Sequence, residues 1–384
     1  MNPALIPWAL SGGAAVAVGF ARFGYALILP AMKTDLALNY AQAGWLNTAN
    51  ALGYLLGSLL TIFFVARIGN RRLFVAGLVG TTVALLAHGL THDFALLTLF
   101  RFLSGFGAAG AFICGGVLSG VLGTRAIVIF FSGGGIGMLV TGALLPWLFE
   151  YAGPTAWPWA WIACGAVCIP LSVAALAAMR GIAEPSVAGV SAAWPWRPCI
   201  PEFFAYFLFG LGYIAYMTFI VAWLGQSRIE AMSPAATTSI MWSLLGAMTL
   251  LAPWLWARMF NGRRNGTPMA ASMAVLGVGA ALPLFLPNVV GLWLSAALVG
   301  SSVFMVPSAA TGFVKTNLPK PSWGGALAVA TSLFAIGQTI GPVAAGAISD
   351  ASGSLSTGLA VSAAVLFAGA LVALTQKPVH VGER

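Results

Sequence analysis

Two of the seventeen lysines and arginines in this sequence, Arg22 and Arg101, lie inside long apolar runs. Arg22 stands in AVGFARFGYALILPAM, residues 17–32. A cation buried in a bilayer costs about 2.5–3.5 kcal/mol on insertion scales, so it needs a partner. Its planar fork of donors suits a carboxylate or a phosphate, which it can hold through two parallel hydrogen bonds. No acid stands at mid-run to neutralise it. Asp35, Asp93, Glu150, Glu184, Glu202, Glu230, Asp350 and Glu383 all fall at run ends or in connections. The counter-charge is therefore expected from outside the chain, as a small anion.

Other polar side chains share these runs. Tyr25 lies one helical turn beyond Arg22, and Asn47, Asn50 and Tyr54 follow at i, i+3 and i+7, one helical face. An asparagine in a span either joins helices or touches a ligand, and both readings stay open for Asn47 and Asn50. At an offset of 191 residues, Tyr213 occupies the position of Arg22 and Tyr216 that of Tyr25. Gln338 is a further lining candidate. A tyrosine facing an arginine suits an anion with an apolar or aromatic body. These residues, Arg22, Tyr25, Asn47, Asn50, Tyr54, Tyr213, Tyr216 and Gln338, form the expected binding set.

Several other features read as packing. Cys164 and Cys168 share a helical face without a nearby His or acid, as small buried hydrophobes do. GGGIG, residues 133–137, lacks a preceding strand and a following Lys-Ser/Thr, so a nucleotide loop is excluded in favour of close helix packing. Trp157, Trp159 and Trp161 cluster at a run end and read as an interfacial belt. His88 and His92 lie near run ends, where a proton role is the weaker reading. No metal or cofactor is called for.

The elements that position these residues follow from composition. Of 384 residues, 60% are hydrophobic and 7% charged, against roughly 25% charged in a soluble domain. This is an all-α integral membrane protein. A span needs about 20 apolar residues, and twelve runs qualify, near 6–31, 41–65, 73–91, 95–121, 126–149, 157–179, 203–225, 236–259, 268–287, 289–313, 325–348 and 356–375. Alternating strands of a barrel are missing. Run one centres near Gly19, which puts Arg22 about 4.5 Å beyond the centre at an α-helical rise. Gly12, Ala15, Gly19, Arg22 and Ala26 recur at helical spacing, a small-residue face that packs inward.

Thirteen Lys and Arg fall in connections on one side and two, Lys33 and Arg228, on the other. The positive-inside rule then places both termini in the cytoplasm. This distribution, one to three charges per connection, argues against nucleic acid as a partner; the partner is the lipid bilayer. MNPALIPWAL has no basic leader, so run one is read as a retained helix. The longest polar interruption divides the chain into residues 1–179, a linker at 180–202, and 203–384. GFARFGYA at 19–26 aligns with GLGYIAYM at 210–217, Ala66-Arg67 with Ala257-Arg258, and Leu103-Ser104 with Leu294-Ser295, all at offset 191. Two repeats of six spans with a site between them is a transporter pattern.

These residues resemble the major facilitator superfamily. Arg101, Gly105 and Gly107 in LLTLFRFLSGFGAAGAF are similar to its fourth-helix motif, and ARIGNRR at 66–72 with ARMFNGRR at 257–264 is similar to its basic loop motif. IGQTIGPVAAG and SGGGIGMLVTG resemble its glycine-rich motif, with Gly341 and Pro342 in the first. The Arg-Phe-x-Tyr string and Pro30 of run one resemble the bacterial YbfB/YjiJ-like subgroup. The resemblance implies two pseudo-twofold-related six-helix bundles, and gating or structural roles for Arg67, Arg101, Arg258, Gly105, Gly341 and Pro342. Ala66 stands where the family carries an aspartate, which puts its cytoplasmic charge pair in doubt.

The expected function is secondary transport of a small organic anion, carboxylate in type, by alternating access in the bacterial inner membrane, by a monomer. Anion exchange, or a proton carried by the substrate or by Asp35 or Asp93, would couple it. Efflux of amphipathic or toxic compounds is the alternative. An enzyme is excluded because no nucleophile, base or metal cluster converges within the runs; ATP-driven transport lacks a phosphate loop.

Overall fold

The computed structural model describes residues 2–184, 194–227, 229, 232–260 and 262–379. Arg228, Glu230, Glu383, Arg384 and residues 185–193 of the expected linker lie outside these. All regular structure among the described residues is helical, and twelve helices are long and apolar enough to span a bilayer. They are α1 (Ile6–Asp35), α2 (Tyr40–Ile68), α3 (Asn70–His88), α4 (Phe94–Val121), α5 (Arg125–Ala152), α6 (Pro154–Met179), α7 (Arg197–Gln226), α8 (Pro234–Phe260), α9 (Thr267–Phe285), α10 (Val289–Asn317), α11 (Lys320–Ser352) and α12 (Leu355–Leu374).

Local chemistry sets the ends. Asn39 caps α2 in a reciprocal box with Gln42, and Asp93 accepts from the Leu96 amide at the start of α4. Gly69, at φ +87°, turns α2 into α3 in a conformation that disfavours a side chain. The seventh span starts earlier than its apolar run, at Arg197 inside the segment expected as linker. Pro198 and Pro201 stand in its opening turns, where a missing amide hydrogen costs nothing.

Packing follows a duplicated plan. In the first six spans α2 packs on α4, α3 on α4, α1 on α5 and α6, and α3 on α6; in the last six α8 packs on α10, α9 on α10, α7 on α11 and α12, and α9 on α12. Across the seam α2 meets α11, α5 meets α8 and α1 meets α7. Each contact maps onto its partner by adding six to the span number, so the two six-helix bundles are related by a pseudo-twofold axis.

The first span departs from the expected regular helix. Residues Ala15–Phe23 are π-helical, and the Gly24 amide donates to the Gly19 carbonyl five residues back. Arg22 lies inside this widened turn, so the straight α-helical rise does not measure its depth. Nor does a small-residue face distinguish an inner side, because α1 is buried nearly all round. Trp157 and Trp161 also depart from expectation. Both are fully buried, and only Trp159 of the three is exposed. The Trp157 indole donates to Asp35 (2.7 Å), and Trp161 stacks on His88 and Tyr25, so these two rings fill the first bundle. Large apolar side chains such as Phe63, Val173, Trp254 and Phe285 stand exposed on the outside, as lipid contact requires.

Candidate functional site

Two buried arginines stand on spans of the first bundle, Arg22 on α1 and Arg101 on α4, and their surroundings differ. Arg101 of α4 is fully enclosed. Its Nη1 donates to the Ala21 carbonyl (2.6 Å), its Nε to the Leu46 carbonyl (3.2 Å) and its Nη2 to Asn47 Oδ1 (2.9 Å). Its guanidinium lies 4.6 Å from the Tyr25 ring centre, and the Tyr25 hydroxyl donates to the Ala43 carbonyl. Every nitrogen of this fork has an oxygen from α1 or α2. Asn50 serves the same junction, donating to the Arg101 carbonyl and to Ser104 Oγ. Gly105 makes the close approach of α2 and α4 possible, since a Cβ there would overlap the Asn50 carbonyl. The polar chain then crosses the seam, for Asn47 Nδ2 donates to Thr218 Oγ1 of α7 at 2.6 Å.

Arg22 is also buried, yet poorly satisfied. Its Nη2 donates to Gln338 Oε1 of α11, which also accepts from the Tyr213 hydroxyl (3.2 Å). The Tyr54 ring centre lies 5.5 Å from the guanidinium. Arg22 Nε and Gln338 Nε2 are both buried donors without a partner among the described residues. The structure thus brings Arg22, Tyr54, Tyr213 and Gln338 together. It places Tyr25, Asn47 and Asn50 around Arg101, and turns Tyr216 into the second bundle, where its hydroxyl pairs with Ser295 (2.7 Å). Arg67 and Arg258 are exposed at the helix ends. Gly341 packs against the Leu211 backbone, and the Pro342 carbonyl lies against Gly44 of α2.

The match to known sequences and folds covers nearly the whole chain. Residues 14–374 match the family described as "Uncharacterised MFS-type transporter YbfB". This chain belongs to the YbfB family of MFS-type transporters. It is 25% identical to the uncharacterized MFS-type transporter YceJ of Bacillus subtilis (strain 168), over 283 residues that make up 71% of each protein. Among solved structures it is similar in fold to the nucleoside transporter NupG (TM-score 0.72, 14% identity, 98% of this chain and 99% of that one). It also resembles an auto-inhibited POT family peptide transporter (TM-score 0.73, 14% identity, 99% and 98%).

Sequence reasoning misses several contacts in this YbfB-family transporter. Asp350, at the end of α11, accepts from the amides of Tyr40 (3.0 Å) and Ala41 (2.8 Å) at the start of α2. Gln226 bonds the Tyr40 hydroxyl, and Ser233 of the α7–α8 connection donates to Glu150 of α5 (3.0 Å). Deeper in the same seam, Thr48 donates to the Thr339 carbonyl (2.7 Å). These bonds join the bundles from the Arg22 level out to the face opposite the arginine-rich connections. On the arginine-rich face, Glu184 accepts from the amides of Asn70 (2.5 Å) and Arg71 (3.2 Å), capping α3. An acid from beyond α6 thus meets the helix start beside Ala66, where the family motif would carry its aspartate. The sequence holds no signal for Asp350 and Glu184, because the helix starts they cap lie 310 and 114 residues away and meet them only in the packed structure.

Proposed function

We propose that this MFS secondary transporter carries a small organic anion, held by Arg22 between the two bundles. The observation that supports this is the pair of unpartnered buried donors, Arg22 Nε and Gln338 Nε2, flanking a contact between a cation and a neutral amide. Leaving such donors unpaired costs about 1–3 kcal/mol each, more when charged. A carboxylate seated there accepts from both and supplies the missing negative charge. Arg22 belongs to the first bundle and Gln338 to the second, so the anion bridges the parts that move against each other in alternating access.

The arginine-rich face is assigned to the cytoplasm, with both termini there and the bilayer being the bacterial plasma membrane. The described seam bonds join the bundles on the opposite face. The test uses purified protein in liposomes loaded with a panel of mono- and dicarboxylates. Counterflow is expected for an anion and is expected to vanish in Arg22→Ala. Retained transport in that variant, or selectivity for cations or for neutral amphipaths, overturns the reading.

A further inference from the structure

Beside Arg22 lies an aromatic ladder. Tyr206, Phe209 and Tyr213 of α7 and Phe334 of α11 present rings within 21° of parallel wherever they pair. The centroid separations are 4.5 Å for Phe209–Tyr213, 4.9 Å for Tyr206–Phe334, 5.5 Å for Phe209–Phe334 and 5.8 Å for Tyr213–Phe334. Three of these rings are buried, but Phe334 keeps part of its surface free. It packs against each of the other three.

Phe334 precedes Gln338 by four residues, so both lie on one face of α11, about 6 Å apart along the axis. A flat ring bearing a carboxylate measures about as much from its charged oxygens to the far edge of the ring. The carboxylate would reach Arg22 and Gln338 while the ring extends the ladder on Phe334. The charge count narrows the ligand further. Arg101 already gives each of its nitrogens to an oxygen, so one cationic fork is available and a single negative charge is matched.

We infer that the substrate is an aromatic monocarboxylate, its ring stacked on Phe334 and its carboxylate on Arg22 and Gln338. The inference rests on the anion reading above, and the two fail differently. Binding is measured on detergent-purified protein by calorimetry near neutral pH, because protonated aromatic acids cross liposome membranes unaided. The probes are benzoate, cyclohexanecarboxylate of similar size without a π face, and neutral benzyl alcohol. Ring stacking is worth a factor of roughly 2–10, so benzoate is expected to bind that much more tightly than cyclohexanecarboxylate. Phe334→Leu should bring the ratio near one while both acids still bind, Phe334→Tyr should keep it, and Arg22→Gln should remove both. Equal binding in the wild type, or a ratio untouched by Phe334→Leu, overturns the aromatic assignment and leaves the anion reading standing. Benzyl alcohol binding as well as benzoate, benzoate surviving Arg22→Gln, or no binding by any probe overturns the assignment together with its anionic basis.

Discussion

At the scale of single residues, Arg22 and Arg101 are both buried cations, and their oxygens separate their roles. Replacing Arg101 by Gln leaves carbonyls of Ala21 and Leu46 without their donors, at about 1–3 kcal/mol for each buried group left unsatisfied. The melting temperature in detergent should fall by several degrees. Arg22→Gln removes a charge whose one acceptor among the described residues is a neutral amide, so stability without added anion should hold or rise, while anion-induced stabilisation disappears. An equal loss of stability in both variants would dissolve this division. Arg22, Tyr213 and Gln338 are legible in the sequence because polar side chains are scarce in apolar runs and each therefore stands out. Phe334 and Phe209 are not, since a phenylalanine has the same composition whether it faces lipid or a cavity. Tyr25 and Tyr216 do match each other across the repeat, both bonding within their own bundle. Three residues along a helix turn a side chain by about 60° from its reference, enough to carry it from the seam into the bundle.

At the scale of elements, two acids hold helix N-termini from a distance in sequence. Asp350 links α11 to α2 across the seam, and an anion at such a position is worth about 0.3–1 kcal/mol. Asp350→Ala should therefore raise the population open on that face roughly two- to fivefold. A cysteine at Thr48, buried in the same seam, reports it through its labelling rate with a membrane-impermeant maleimide added from that side. An unchanged rate would show that helix packing alone closes the seam. Glu184 caps α3 within one bundle, so Glu184→Ala should cost about 1 kcal/mol of stability without altering Thr48→Cys labelling. The spans themselves are legible, because length and apolarity suffice to recognise a helix that crosses lipid. Their ends and the π-helical turn at Ala15–Phe23 are not, for these depend on which neighbour supplies a cap or crowds a backbone.

At the scale of the whole molecule, the repeat and the Arg22–Gln338 contact together constrain the transport cycle. Rocking one bundle against the other must change the distance between α1 and α11, and with it the bond from Arg22 to Gln338, its one acceptor among the described residues. When an anion is bound, the guanidinium keeps its partner throughout the movement. Without one, the charge passes through a state with its hydrogen bond to Gln338 stretched or broken, in a bilayer where an unmatched arginine costs about 2.5–3.5 kcal/mol. Even half of that penalty slows the empty carrier by about tenfold, at 1.36 kcal/mol per decade. Exchange of anion for anion should therefore run at least about tenfold faster than net flux, measured as uptake of labelled substrate with and without unlabelled substrate inside liposomes, after subtracting uptake into protein-free liposomes. A variant such as Gln338→Glu supplies Arg22 with a permanent counter-charge; it should weaken anion binding and narrow the gap between exchange and net flux. Net flux as fast as exchange in the wild type would mean that Arg22 finds another acceptor on the way, and the pairing with Gln338 would then lose its part in setting the rate.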